Sequence, residues 1–163
     1  MYITLDEYSK FYDPVEEKTF ARLSYEASRL MDNHTMGVDG VKKLRHAFPV
    51  DEDNVAAVKY CAAKLVNLLG QIQEAEAAAS VARGYSETEQ GLRRKIISRV
   101  EAGNEAISYS ETKLSNSSID AAVADKAARD ALISGTIREC LSGITDSNGV
   151  NLLFMGAYPR RCK

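Results

Sequence analysis

Between Val55 and Ile72 the apolar residues recur three and four apart: Val55, Val58, Ala62, Leu65, Leu69 and Ile72. That spacing lines one side of an α-helix and has no counterpart in a strand. The acidic run "DEDN" just before it supplies an N-cap and negative charge at the positive end of the helix dipole. A helix this long and this seamed needs other helices against it, so the chain is expected to be all-α. Beyond Ile72 the helix turns small, "EAEAAASVA", which suits either close approach of a second helix or plain helix propensity. The two readings stay open.

The flanking segments follow the same logic. Thr4 and Glu7 have capping-box spacing for a short helix in "TLDEYSKFY", closed by Pro14. From Val15 to His34 the stripe Phe20, Leu23, Ala27, Leu30, Met31 and His34 predicts a second helix, broken by Gly37 and Gly40. A shorter piece covers Val41 to Ala47, before Pro49. Ser86 and Glu89 also have capping-box spacing, and Leu92, Ile96 and Val100 recur at i+4. They predict a basic helix over about 86–103, carrying Arg93, Arg94, Lys95 and Arg99, stopped by Gly103. Residues 104–118 are serine-dense, with Ile107 and Tyr109 alternating with polar residues, and read as a short β-hairpin or extended projecting loop. A final helix runs from Ser117 or Ser118 as N-cap through Ile119, Val123, Ala127, Ile133, Ile137 and Leu141, with Asp125–Arg129 as an i,i+4 pair and Gly143 as its stop. "TDSNG" is turn chemistry.

The expected architecture is a small helical bundle over residues 1–149 with an extended C-terminal tail, 150–163. At 163 residues, 45% hydrophobic and 27% charged, the chain has the length and apolar content of one domain. A net charge of -2 argues against a surface that wraps nucleic acid as a whole, and the absence of tryptophan argues against a base-stacking platform. Cys61, Cys140 and Cys162 are dispersed and form no C-x-x-C, which fits free thiols in a reducing compartment. The polar start (Asp6, Glu7, Lys10) does not read as a signal peptide, and no run approaches 18 apolar residues, so no membrane partner is expected.

No catalytic, cofactor or metal motif emerges. His34 lies on the apolar stripe of its helix, and His46, in "LRHAFP", has no carboxylate or cysteine at ligand spacing. "DEDN" lacks the glycine and glutamate of a calcium loop. The cluster Arg93, Arg94, Lys95 and Arg99 reads as a solvated basic face, or as a contact to DNA phosphates or an acidic surface. The sharper signal is "NLLFMGAYPRRCK". Leu152, Leu153, Phe154 and Met155 cannot all face inward from one short segment. Either Leu152 and Phe154 alternate onto the chain's own core, or the segment docks on another molecule.

The ordered set "YITLDEYSKFY", "FARLSYEASRLMDNHTMG", "DNVAAVKYCAAKLVNLLGQ", "ISYSETKLSNSS", "ALISGTIRECLSGI" and "NLLFMGAY" resembles the head–tail connector (adaptor, or head-completion) proteins of long-tailed bacteriophages and prophages. The resemblance covers roughly residues 2–80 and 104–158, and the basic stretch stands outside it as an insertion or elongation. It implies a non-enzymatic virion protein of the neck, assembled in the host cytoplasm. About a dozen copies would form a ring below the portal protein, extending the DNA channel and receiving a stopper or tail-completion protein. Genomic DNA would pass without sequence-specific binding, and no cofactor is implied. Carried over by position, Ile107, Tyr109 and Ser110 belong to the inter-subunit loop. Leu152, Leu153, Phe154, Met155, Gly156 and Tyr158 belong to the portal-docking tail, with Arg160 and Arg161 as a polar rim. The resemblance tips the reading of the tail toward docking. The rival function is a small DNA-binding regulator that dimerises through the 55–72 helix and touches DNA through Arg93–Arg99.

Overall fold

The computed structural model describes residues 1–81, 85–88, 91–100, 107–112 and 117–159, the three short central segments by their backbone pairing. Glu89, Gly103, Arg160, Arg161 and Cys162, and the ends of the expected loop at 104–106 and 113–116, lie outside the described residues. The chain is mostly helical. It divides into two compact units: Met1–Gly70 with Ile133–Lys163, and Gln71–Leu132. The expected tail, 150–163, falls within the first of these units.

The first unit begins with α1 (Leu5–Tyr8), where the capping box forms: the Glu7 amide donates to Thr4 Oγ1 at 3.3 Å and the Thr4 amide to Glu7 Oε2 at 2.9 Å. The same carboxylate accepts from Lys59 Nζ at 2.6 Å, which with the Thr4 amide holds it below its usual pKa. In α2 (Glu17–His34) Phe20, Leu23, Ala27 and Met31 of the stripe read from the sequence are buried, and Leu30 and His34 are half-buried. The one-turn helix α3 (Lys43–His46) follows. Then comes α4 (Glu52–Val81), whose first turn is capped by Asp51, with Oδ1 accepting from the Asn54 amide at 3.1 Å.

Within this unit α4 is buried on more than one side. Val58, Cys61, Ala62, Ala63, Leu65 and Val66 are all 1% exposed or less. A helix apolar around most of its circumference is a central core helix. Its 52–78 stretch reaches the length and hydropathy of a membrane-spanning segment. Here those side chains pack with Ile3, Tyr8, Phe20, Leu23, Met31 and Leu44 in one cluster. Val58, Ala62, Leu65 and Leu69 of the 55–72 seam are therefore covered by the chain's own residues, which leaves those four no free surface for the expected dimer contact. The last helix, α6 (Lys126–Leu141), adds Ile133, Ile137 and Leu141 to the cluster, and Gly143 at φ 78° turns the chain away from it.

The second unit corrects two expectations. The basic segment is not a helix: β1 (Tyr85–Thr88), β2 (Gly91–Val100) and β3 (Ile107–Thr112) pair antiparallel in the order β1-β2-β3. Arg93 stands opposite Ser86, Arg94 opposite Tyr85 and Thr112, Lys95 opposite Glu111, and Arg99 opposite Ser108 across a register shift. Ser86, expected as a cap, is a strand residue. Leu92, Ile96 and Val100, four apart, satisfy a strand's period of two as well as a helix's stripe. The β-branched Ile96, Ile97 and Val100, with Gly91 at the start, decide for strand.

The second correction concerns the final helix, which is two. Ser117 caps α5 (Ser118–Ala124), accepting from the Ile119 amide at 3.3 Å. Asp125 then leaves helical geometry at φ -135° and caps α6. Its carboxylate accepts from the Ala127 and Ala128 amides, both at 3.1 Å. In place of the expected Asp125–Arg129 pair, Arg129 forms an ion pair with Glu76 and donates from Nε to the Ala122 carbonyl at 3.1 Å. A carboxylate at a helix start gains more from bare amides and the dipole than from a surface cation one turn on.

Candidate functional site

The last described stretch, 144–159, is held by polar groups from three places in the first unit. The "TDSNG" turn closes on Asp146, whose Oδ1 accepts from the Asn148 amide at 2.8 Å and the Val150 amide at 2.9 Å, with Gly149 at φ 76°. The chain returns antiparallel to itself: the Leu152 amide donates to the Ile144 carbonyl at 2.9 Å, and Thr145 bridges Asn151. This return carries Leu152 onto the end of α6, where it is 0% exposed among the core residues. Leu153 is half-buried against the same cluster. The docking assignment is thereby split. Leu152 is a core residue of this chain and not a free anchor, while Phe154 at 49% and Met155 at 61% remain exposed.

Beyond Leu153 the backbone is latched to the loop between α2 and α3. Lys43 is wholly buried, and its ammonium donates to the Thr35 carbonyl at 3.2 Å and to the Phe154 carbonyl. Burial pushes the Lys43 pKa down, opposed by Asp39 and Asp146. Two carbonyl acceptors compensate part of the desolvation of this ammonium. The Val38 amide donates to the Met155 carbonyl at 3.2 Å. Gly37 is buried beneath this crossing, and a Cβ there would come within 2.7 Å of the Gly156 carbonyl oxygen. Glycine is required by that approach of two backbones. Gly156 in turn lies under the Phe154 ring, which folds back over it.

Tyr158 closes the latch. Its amide donates to Asp39 Oδ2 at 2.8 Å, its hydroxyl donates to Asp146 Oδ2, and Asn148 Nδ2 donates to that hydroxyl at 2.8 Å. The Tyr158 amide, and next the Val41 amide, hold the Asp39 pKa below its usual value. The Tyr158 ring meets His46 edge-on at 4.9 Å between centroids. Asp39, Val41 and His46 face Asn148, Val150 and Tyr158 across an open cavity of about 580 Å³. Asp39, Asn148 and Tyr158 in this wall are engaged in holding the chain segment, which gives the arrangement the character of a clasp.

On its outer side the clasp presents an apolar patch. Val38 is 79% exposed and is tied by its amide to Met155, beside Phe154. Single exposed apolar residues are ordinary, whereas three placed together on a pinned backbone are a candidate contact surface. Among the described residues no group of three or more His, Cys, Asp or Glu is gathered to hold a metal ion. His34 ends α2 half-buried.

Sequence reasoning did not find Lys43, Asp39 or Asp146 as the groups that position the tail. It also missed Asp32, buried on α2, which accepts from Tyr2 Oη and from Arg45 Nε at 2.5 Å. Burial, and next the Asp32 carboxylate, raise the Tyr2 pKa. Ile107, Tyr109 and Ser110 fall together on β3, opposite Val100, Ile97 and Ile96 respectively, and Arg93, Arg94, Lys95 and Arg99 fall on β2. Comparison with protein-family models, curated proteins and solved structures finds no match to this chain.

Proposed function

We propose that this chain is a structural assembly protein of the phage head–tail junction, an adaptor that docks on a portal ring through its C-terminal segment. The observation that carries the reading is the exposed patch of Phe154, Met155 and Val38 on a backbone clasped by Lys43, Asp39 and Asp146. A patch held in place before binding loses little conformational freedom on docking, and half-exposed Phe and Met are suited to filling a partner's apolar groove. Leu152 and Leu153 serve the reading indirectly, as the root that positions Phe154. The ordered resemblance to head–tail connectors supplies the identity of the partner. In this reading copies of the chain form a ring, a stopper or tail-completion protein binds beyond it, and genomic DNA passes through. The β2–β3 pairing supports treating Ile107, Tyr109 and Ser110 as part of the projecting inter-subunit element.

The test is co-sedimentation of the purified chain with the portal-type ring encoded in the same genome. The double variant Phe154→Asp, Met155→Asp is expected to keep its helical circular dichroism and to lose association. Undiminished association of that folded variant would overturn the docking assignment. The rival DNA-binding reading would gain from salt-sensitive duplex binding abolished by Arg93→Ala and Arg94→Ala.

A further inference from the structure

The open cavity walled by the clasp carries a chemistry that holding the tail does not use. Its polar wall includes Asp39, His46 and Tyr158, and its apolar sides are Val41, Val150 and Pro159. At about 580 Å³ it has the size of a pocket for a small ligand or a long side chain. Several carboxylates of the molecule are matched by cations: Asp32 by Arg45, Glu7 by Lys59, Glu76 by Arg129 and Glu139 by Lys64. Among the described residues, Asp39 and Asp146 form no ion pair. Asp39 accepts from the Val41 amide at 3.2 Å and from the Tyr158 amide at 2.8 Å. Asp146 accepts from the Asn148 and Val150 amides and from the Tyr158 hydroxyl, again all neutral donors. The ammonium whose charge both feel, that of Lys43, is buried and bonded to two backbone carbonyls. Asp39 is exposed, and its lowered pKa keeps it ionised at neutral pH.

An accessible carboxylate beside an aromatic ring, with aliphatic walls around both, suits a guanidinium. Its fork of N–H donors meets the carboxylate, its plane stacks on a ring, and its methylene stem lies along apolar surface. A compact, strongly hydrated ammonium uses the carboxylate alone, and an anion meets a charge of its own sign. We propose that this cavity is a recognition pocket for an arginine side chain of a protein partner, bound by Asp39 and the Tyr158 ring and sheathed along its stem by Val41, Val150 and Pro159. The His46 ring, edge-on to Tyr158 at 4.9 Å between centroids, backs the aromatic side of the pocket. None of these residues belongs to the patch of Val38, Phe154 and Met155, so the pocket stands or falls separately from docking through that patch.

The experiment titrates the full chain with the end-capped peptide acetyl-Gly-Arg-Gly-amide, whose one charge is the guanidinium, and follows the protein by NMR. The Tyr158 and Val150 amides and the His46 ring protons are expected to shift together and to saturate. The matching citrulline peptide, of the same shape without the charge, is expected to bind about fivefold more weakly, the upper end for an accessible ion pair. The lysine peptide is expected to fall between them. Asp39→Asn is expected to erase the difference between arginine and citrulline. Because Asp39 also holds the tail, the citrulline comparison in the unaltered chain decides without that variant. The double variant Phe154→Asp, Met155→Asp is expected to bind the arginine peptide as the parent does. Equal affinity of the parent for the arginine and citrulline peptides would overturn the proposal, as would the absence of a saturable shift at the cavity residues. Binding that appears only in Arg160→Ala, Arg161→Ala would assign the cavity to the chain's own end and overturn it equally.

Discussion

Replacing Leu152 by alanine, and separately Phe154 by alanine, asks whether the apolar end of the chain belongs to its own core. Leu152 is 0% exposed and surrounded by the main cluster, so truncation removes buried methyl groups and leaves a cavity. The expected cost is about 3 kcal/mol. Phe154 keeps 49% of its surface in water. With about half of a fully buried side chain's 1.5–3 kcal/mol at stake, its truncation should cost about 1 kcal/mol. In urea, with a slope near ~2 kcal/mol/M, the midpoints should fall by about 1.5 M and about 0.5 M respectively. Thermal midpoints should fall by about 6–12 °C and about 2–4 °C. The proposed docking on a portal ring requires the opposite ranking there, with Phe154→Ala losing affinity and folded Leu152→Ala retaining it. Equal destabilisation by the two variants, or a Leu152→Ala cost below about 1 kcal/mol, would refute the packing argument.

Two further predictions concern the clasp. Gly37→Ala places a Cβ against the Gly156 carbonyl at 2.7 Å and Asp39 Oδ1 at 2.8 Å, so the crossing backbones must part. A loss of about 1–3 kcal/mol by chemical denaturation is expected, with faster amide exchange at Val38, and unchanged exchange there would count against the close approach. Acidification should open the clasp through Asp39. Its folded-state pKa is depressed, so its contribution is present above the unfolded carboxylate's pKa and is lost as pH falls through the folded value. The Tyr158 amide signal in NMR is therefore expected to titrate at acid pH in the parent and to be flat in Asp39→Asn.

Much of the helical structure is legible because its signals are local. Thr4 with Glu7, Ser117 before Ile119, and Gly143 after Leu141 are each decided within a few residues, and each takes the structural role its spacing announces. The Val58–Leu69 seam is equally local, but its destination is not. A seam looks the same whether it meets another chain or, as here, the chain's own Phe20, Leu23 and Ile137. The basic segment misleads for an arithmetic reason: apolar residues four apart satisfy the periods of a helix and of a strand alike. The clasp is illegible because its partners are remote in the chain. Lys43 finds the carbonyl of Phe154, 111 residues away, and Asp39 finds the amide of Tyr158, 119 residues away. Backbone acceptors and donors of that kind leave no residue-type signature in a sequence.

The burial of Leu152 also has a bearing on synthesis. The cluster around Val58 and Leu65 includes Ile3 and Tyr8 as well as Ile137, Leu141 and Leu152. A chain emerging from the ribosome in order can assemble α1, α2 and α4, yet the position that Leu152 fills stays open until Leu152 itself has been made. A product arrested before that point would carry an unfilled apolar hollow at the centre of its helices, together with a buried Lys43 lacking one of its carbonyl partners. Such a fragment is a natural substrate for proteolysis. Closure of the core around Ile3 and Tyr8 therefore waits for the synthesis of Leu152.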